Sequence, residues 1–214
     1  VNLGGVRASN LTAVIPDYSK EKLLIDADIK GPGKAVGPYF DETPLKDSLG
    51  ATLQELQLDG DVNARLHLDI PLNGELVTAK GEVTLRNNSL FIKPLDSTLK
   101  NLSGKFSFIN GDLQSEPLTA SWFNQPLNVD FSTKEGAKAY QVAVNLNGNW
   151  QPAKTGVLPA AVNEALSGSV AWDGKAGIDL PYHAGATYNV ELNGDLKNVS
   201  SHLPSPLAKP AGEP

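Results

Sequence analysis

The 214-residue chain contains no cysteine and no methionine. Without cysteine there are no disulfides, no thiolate metal ligands and no cysteine nucleophile. The missing methionine, at position 1 as elsewhere, is expected of a processed product or an interior piece of a longer protein. Basic residues are in the minority: 18 Lys and Arg against 24 Asp and Glu give a formal net charge of -6. That balance excludes the cationic surface that nucleic acid requires and offers no basic patch for anionic headgroups. No apolar run reaches the ~18 residues of a membrane-spanning helix, and no signal-peptide pattern stands at the start. No glycine-rich loop opens a helix, so no phosphate cradle is expected.

What the chain has is alternation. Across 58–72, fifteen consecutive residues change character at every step. Leu58, Gly60, Val62, Ala64, Leu66, Leu68, Ile70 and Leu72 alternate with Asp59, Asp61, Asn63, Arg65, His67, Asp69 and Pro71. A period of two places all apolar side chains on one face of a strand. At ~3.3 Å per residue one strand of that length runs ~50 Å, against the usual ~17–20 Å. The same alternation recurs around Val83 and Leu85, Phe106 and Phe108, Leu127 to Phe131, Tyr140 to Leu146, and Tyr188 to Leu192. Asn73-Gly74, Asn110-Gly111, Asn147-Gly148, Asp173-Gly174 and Asn193-Gly194 predict hairpin turns, because both residues tolerate positive φ. The expected fold is all-β: an antiparallel meander with one oily and one wet face.

Two segments break the pattern. In 44–56, Leu45, Leu49, Leu53 and Leu56 stand at helical spacing behind Thr43 as N-cap, and 159–166 reads as a second short helix opened by Pro159. Leu58-Asp59-Gly60-Asp61-Val62 then matches Leu166-Ser167-Gly168-Ser169-Val170 at an offset of 108, and Asp69-Ile70-Pro71 matches Asp179-Leu180-Pro181 at an offset of 110. These matches divide 1–214, read as one continuous segment, into a partial unit 1–150 and the start of the next at 151–214. Repeats sharing one oily face imply an elongated architecture. The tail 203–214, with four prolines, reads as an extended edge segment or linker.

Catalytic signals are poor. Ser97-Thr98-Leu99-Lys100 and Lys154-Thr155-Gly156 fit two marks of serine β-lactamases, but no S-D-N follows and a helix start for the serine is missing. His67 beside Asp69 suggests a zinc edge without a third ligand, and Asp59 with Asp61 read as solubilising charges. The triplets beginning at Asn10, Asn87, Asn101 and Asn198 fit glycosylation sequons, a pattern common by chance. Trp122, Trp150 and Trp172 read as packing residues rather than a sugar platform. No catalytic residue, metal ligand or cofactor is expected. The oily face is either the core of a closed β-sandwich or β-solenoid, a structural or adhesion module without cargo, or the lining of an open groove for acyl chains. Strand length and the scarcity of helices to cover a sheet favour the groove.

The order of Asp69-Ile70-Pro71, Lys80-Gly81-Glu82-Val83-Thr84-Leu85-Arg86-Asn87-Asn88-Ser89-Leu90 and Asn101-Leu102-Ser103-Gly104-Lys105-Phe106-Ser107-Phe108 resembles the AsmA-like family of Gram-negative envelope proteins. So does Leu196-Lys197-Asn198-Val199 running into Leu203-Pro204-Ser205-Pro206-Leu207-Ala208-Lys209-Pro210. The resemblance covers nearly the whole chain, most distinctly 45–209. It implies a β-taco, a long curled sheet with a hydrophobic groove, anchored in the inner membrane, crossing the periplasm and passing phospholipid towards the outer membrane. This chain departs from the family in its shortness and in lacking the N-terminal transmembrane helix, so an interior segment is expected. The implied partners are phospholipid acyl chains, flanking segments of the same protein, and the inner membrane through the missing anchor. The expected lipid-contacting residues are Val62, Leu66, Leu68, Ile70, Val83, Leu85, Phe106, Phe108, Leu127, Val129, Phe131, Val142, Val144, Leu146, Val170, Ile178, Leu180, Val190 and Leu192.

Overall fold

A computed structural model describes residues 2–3, 5–17, 19, 21–40, 43 and 45–212. Pro44, where the first expected helix begins, and residues 213–214 of the tail lie outside them. The alternating segments form strands. The first half holds β1 (Asn2–Leu3), β2 (Val6–Val14), β3 (Lys22–Pro32), β4 (Leu56–Asp59), β5 (Asp61–Pro71), β6 (Thr78–Ile92) and β7 (Ser97–Ile109). The second holds β8 (Asp112–Ser115), β9 (Leu118–Trp122), β10 (Gln125–Glu135), β11 (Ala139–Trp150), β12 (Leu166–Gly168), β13 (Val170–Pro181), β14 (Thr187–Asp195) and β15 (Val199–Ser201). One large sheet runs β1-β2-β3-β5-β6-β7-β8-β10-β11-β13-β14, with β4 on β6 and β9 between β7 and β10. Every pairing is antiparallel. Among the described residues its two end strands do not pair with each other, so the sheet is open and no barrel closes.

The 58–72 alternation is not one strand. It breaks at Gly60, whose φ of 93° lies in the left-handed region, and both halves then run along β6. Asn88 of β6 holds the break together. It is 1% exposed, and its Nδ2 donates to the carbonyls of Asp59 (3.0 Å) and Asp61 (3.1 Å) while its Oδ1 accepts from the Arg86 amide (2.8 Å). Gly168, with φ 97°, ends β12 just ahead of β13, although β12 pairs with β15 in a separate small sheet. Here too a short helix, α2 (Ala160–Ala165), stands ahead of the short strand.

Only two of the five expected hairpin dipeptides turn the chain. Asn73-Gly74 and Asn110-Gly111 do, whereas Asn147-Gly148, Asp173-Gly174 and Asn193-Gly194 lie inside β11, β13 and β14. The reason at Gly148 is aromatic. A Cβ there would stand 3.0 Å from the Trp150 Nε1 and 3.1 Å from the Trp172 Nε1, so the glycine makes room for two rings. Trp122, Trp150 and Trp172 pack edge to face in one row, with centroids 6.4 Å and 4.7 Å apart, in keeping with their reading as packing residues.

The first expected helix is a five-residue π-helical turn, Lys46–Gly50, followed by one α-helical turn, α1 (Ala51–Glu55). Leu45 rather than Thr43 takes the N-cap position, and no side chain caps either turn. The tail does not run along β14. Lys209 pairs with Ser201 through reciprocal amide–carbonyl bonds of 2.8 Å and 2.9 Å, covering the edge of the small β12–β15 sheet.

Tyr140 is the most buried aromatic residue, 0% exposed. Its hydroxyl donates to the Gly111 carbonyl (2.7 Å) and lies 2.8 Å from the Thr133 hydroxyl, tying β11 to the β7–β8 turn. Burial pushes its pKa up to about 12 from 10.0, opposed by the Thr133 hydrogen bond and reinforced by the carboxylates of Asp112 and Glu135. A raised folded pKa means stability is intact below pH 10 and is lost as pH rises towards 12, because the unfolded chain ionises first. On the order of 2–3 kcal/mol is at stake. Tyr140→Phe is expected to flatten that alkaline loss, measured as melting temperature between pH 9 and 12; an unchanged pH slope would assign the loss to other groups.

Candidate functional site

Strand register lines up one apolar row across the sheet. Ala8 pairs with Ile29, Ile29 with Ala64, Ala64 with Val83, and Val83 with Phe106. Beyond β8, Phe131 pairs with Val144, Val144 with Ala176, and Ala176 with Val190. Ser115 fills the gap, its hydroxyl accepting from the Phe131 amide at 2.8 Å. The opposite face is wet and carries cross-strand polar pairs: the hydrogen-bonded His67 and Asp26 (2.8 Å), and the ion pairs of Lys22 with Asp69 (3.1 Å) and Lys105 with Glu82 (2.9 Å). His67 is therefore a surface partner of Asp26. Among the described residues no group of three or more His, Asp or Glu stands ready for a metal.

The sheet curls towards the apolar row. In the strand order β11 stands five steps from β5, ~24 Å away if the sheet were flat. Yet the segment Lys46–Glu55, ~10–12 Å across, packs on β11 and shares one cavity with β5. Its Leu49 and Leu53 line a cavity of about 590 Å³ with Val62, Leu66, Val83, Phe106 and Phe108, while Leu49, 6% exposed, also packs with Tyr140 and Val142. The segment therefore roofs the concave side. The described lining is apolar except for Lys34, Gln54, Gln57 and Asn110, and Lys34 pairs with Asp59 at 3.2 Å.

The expected contact residues fall into distinct environments. Val62, Leu66, Val83, Phe106 and Phe108 line the cavity. Leu85, Leu127 and Val129, together with Val62, are at most 7% exposed in a close-packed cluster with Leu99, Leu102 and Leu118, against which Phe131, Val144 and Leu146 pack. Val142, with Ile178 and Leu180 beside it, sits under the roof. Leu68, Ile70 and Val170 are half-buried. Val190 and Leu192, at 72% and 69% exposure, lie bare on β14 with Tyr188. The set omits the roof: Phe40, Leu45, Leu49, Leu53 and Leu56 all line the cavity. The helical spacing of the four leucines was the available signal; Phe40 had none.

The β-lactamase-like motif dissolves. Ser97 and Lys100 lie on β7, where a spacing of three points side chains to opposite faces, and the Ser97 hydroxyl accepts from the Trp122 indole at 2.7 Å. The Thr155 hydroxyl donates to the Pro152 carbonyl at 2.7 Å. No helix among the described residues is long and apolar enough to cross a membrane.

A family profile described as YhdP protein matches residues 1–214. The Escherichia coli (strain K12) protein named "Intermembrane phospholipid transporter YhdP" is 98% identical over all 214 residues, and the chain spans 17% of that protein's length. No solved structure matches. With every residue covered by the family profile, the chain belongs to the YhdP family.

Proposed function

We propose that this chain is an interior stretch of a phospholipid conduit whose curled apolar face shields acyl chains between the inner and outer membranes. The observation that carries the reading is the apolar row that crosses the sheet and opens into the cavity of about 590 Å³. The printed name of the Escherichia coli relative, an intermembrane phospholipid transporter, supports the cargo. Each CH₂ kept out of water is worth ~0.8 kcal/mol, so a chain of a dozen or more carbons leaves a bilayer only into such a lining. The headgroup stays in the open slit. Contacts with Leu, Val and Phe are weak and non-directional, so a lipid slides without a tight site, and no catalytic step is needed. The work is periplasmic, with flanking segments extending the sheet and an anchor elsewhere in the longer protein holding it to the inner membrane. The helix-then-strand arrangements ahead of β5 and β13 mark successive units of the chain, the second beginning near 151.

Delipidated chain incubated with phosphatidylethanolamine–phosphatidylglycerol liposomes and re-isolated is expected to carry phospholipid, read by lipid mass spectrometry. Protein that stays lipid-free supports the closed-core alternative.

A further inference from the structure

The roof is held unequally at its two walls. At its C-terminal end it runs straight into β4, and Glu55 pairs with Lys93, just past the end of β6, at 3.3 Å. On the β11 side, among the described residues, the contacts are apolar. Leu49 packs on Tyr140 and Val142, and Leu45 Cδ2 would stand 3.1 Å from a Cβ on Gly111. The hydrogen bonds described within the segment stay within its own turns, such as Thr52 Oγ1 to the Ser48 carbonyl at 3.0 Å. Two helical turns without side-chain caps are too short to hold their shape in water and depend on the wall they touch.

We propose that the segment Lys46–Glu55 is a built-in competitor for the groove, a plug whose leucines take the place of acyl chains and which lifts off β11 to let a lipid pass. This rests on the conduit reading and adds a gate to it. The exchange is apolar for apolar: a lipid tail arriving beside Val142 replaces what Leu49 leaves, so neither wall is bared to water. The continuous run into β4 and the Glu55–Lys93 pair keep the plug attached, and the Glu55–Leu56 junction acts as its hinge. A segment drawn from the low-stability end of a fold is suited to such motion.

The absence of cysteine makes the test clean. Leu49→Cys/Val142→Cys, joined by a short bis-maleimide, fixes the plug to β11, and uptake of a fluorescent phospholipid from liposomes is compared with that of the same protein before cross-linking. At least a tenfold loss of uptake on cross-linking is expected. A second variant, Leu45→Ser/Leu49→Ser, loosens the plug without a cross-link and is expected to load at least threefold faster. Equal uptake by the joined and free forms overturns the gate and leaves the conduit standing. Uptake by neither form overturns the conduit reading and the gate with it.

Discussion

Leu66→Asp is expected to abolish lipid loading while leaving the chain folded, whereas Leu127→Asp unfolds it. Leu66 is half-buried and lines the cavity, so water reaches a carboxylate there whenever no lipid is present. An acyl chain then meets a charge in its path, at a desolvation cost of several kcal/mol. Leu127 is 3% exposed among Leu85, Leu102 and Leu118, where no water follows the charge. The same several kcal/mol then falls on folding, against a total stability of ~5–15 kcal/mol. Thermal melts by circular dichroism, paired with liposome loading, separate the two. If Leu66→Asp melts as early as Leu127→Asp, the cavity behaves as core.

Asn88→Asp should be among the most destabilising single-atom-scale changes in the chain. Both Nδ2 hydrogen bonds, to the carbonyls of Asp59 and Asp61, are lost, and an acceptor is set against two acceptors at a site 1% exposed. Removing donors from such a site and burying an unpaired charge costs ~3–5 kcal/mol. For a chain of this size that lowers the melting temperature by roughly 6–20 °C. A shift under about 2 °C, measured by calorimetry, would mean that the Gly60 break holds without Asn88.

The strand-forming residues were legible because burial on one face imposes a period of two, and 61–71 obeys it throughout. What alternation does not encode is where a strand bends. The break at Gly60 needs a left-handed glycine and a buried amide on β6, and the amide is a tertiary fact. Local turn chemistry also misled at Asn147-Gly148, where the glycine serves the approach of Trp150 and Trp172 rather than a reversal. Asn10, Asn87 and Asn101, each with φ near 50°, sit next to register shifts in β2, β6 and β7. This left-handed backbone gives three of the four sequon-like triplets a structural origin, since asparagine tolerates that conformation. The site was half legible. Its floor followed from alternation, and the roof leucines were legible as a helix but not as part of the site, because only the curl of the sheet brings Leu49 to Tyr140 and Val142.

The central claim, that acyl chains run along the concave face, is tested most directly by a photo-reactive benzoylphenylalanine placed at Phe108 or, as its neighbour on the opposite face, at Ser107. Phe108 lines the cavity, and Ser107 is exposed on the convex side. After loading from liposomes and irradiation, intact-mass spectrometry should find a phospholipid adduct at 108 and none at 107. No adduct at 108, or equal adducts at both positions, would contradict the groove.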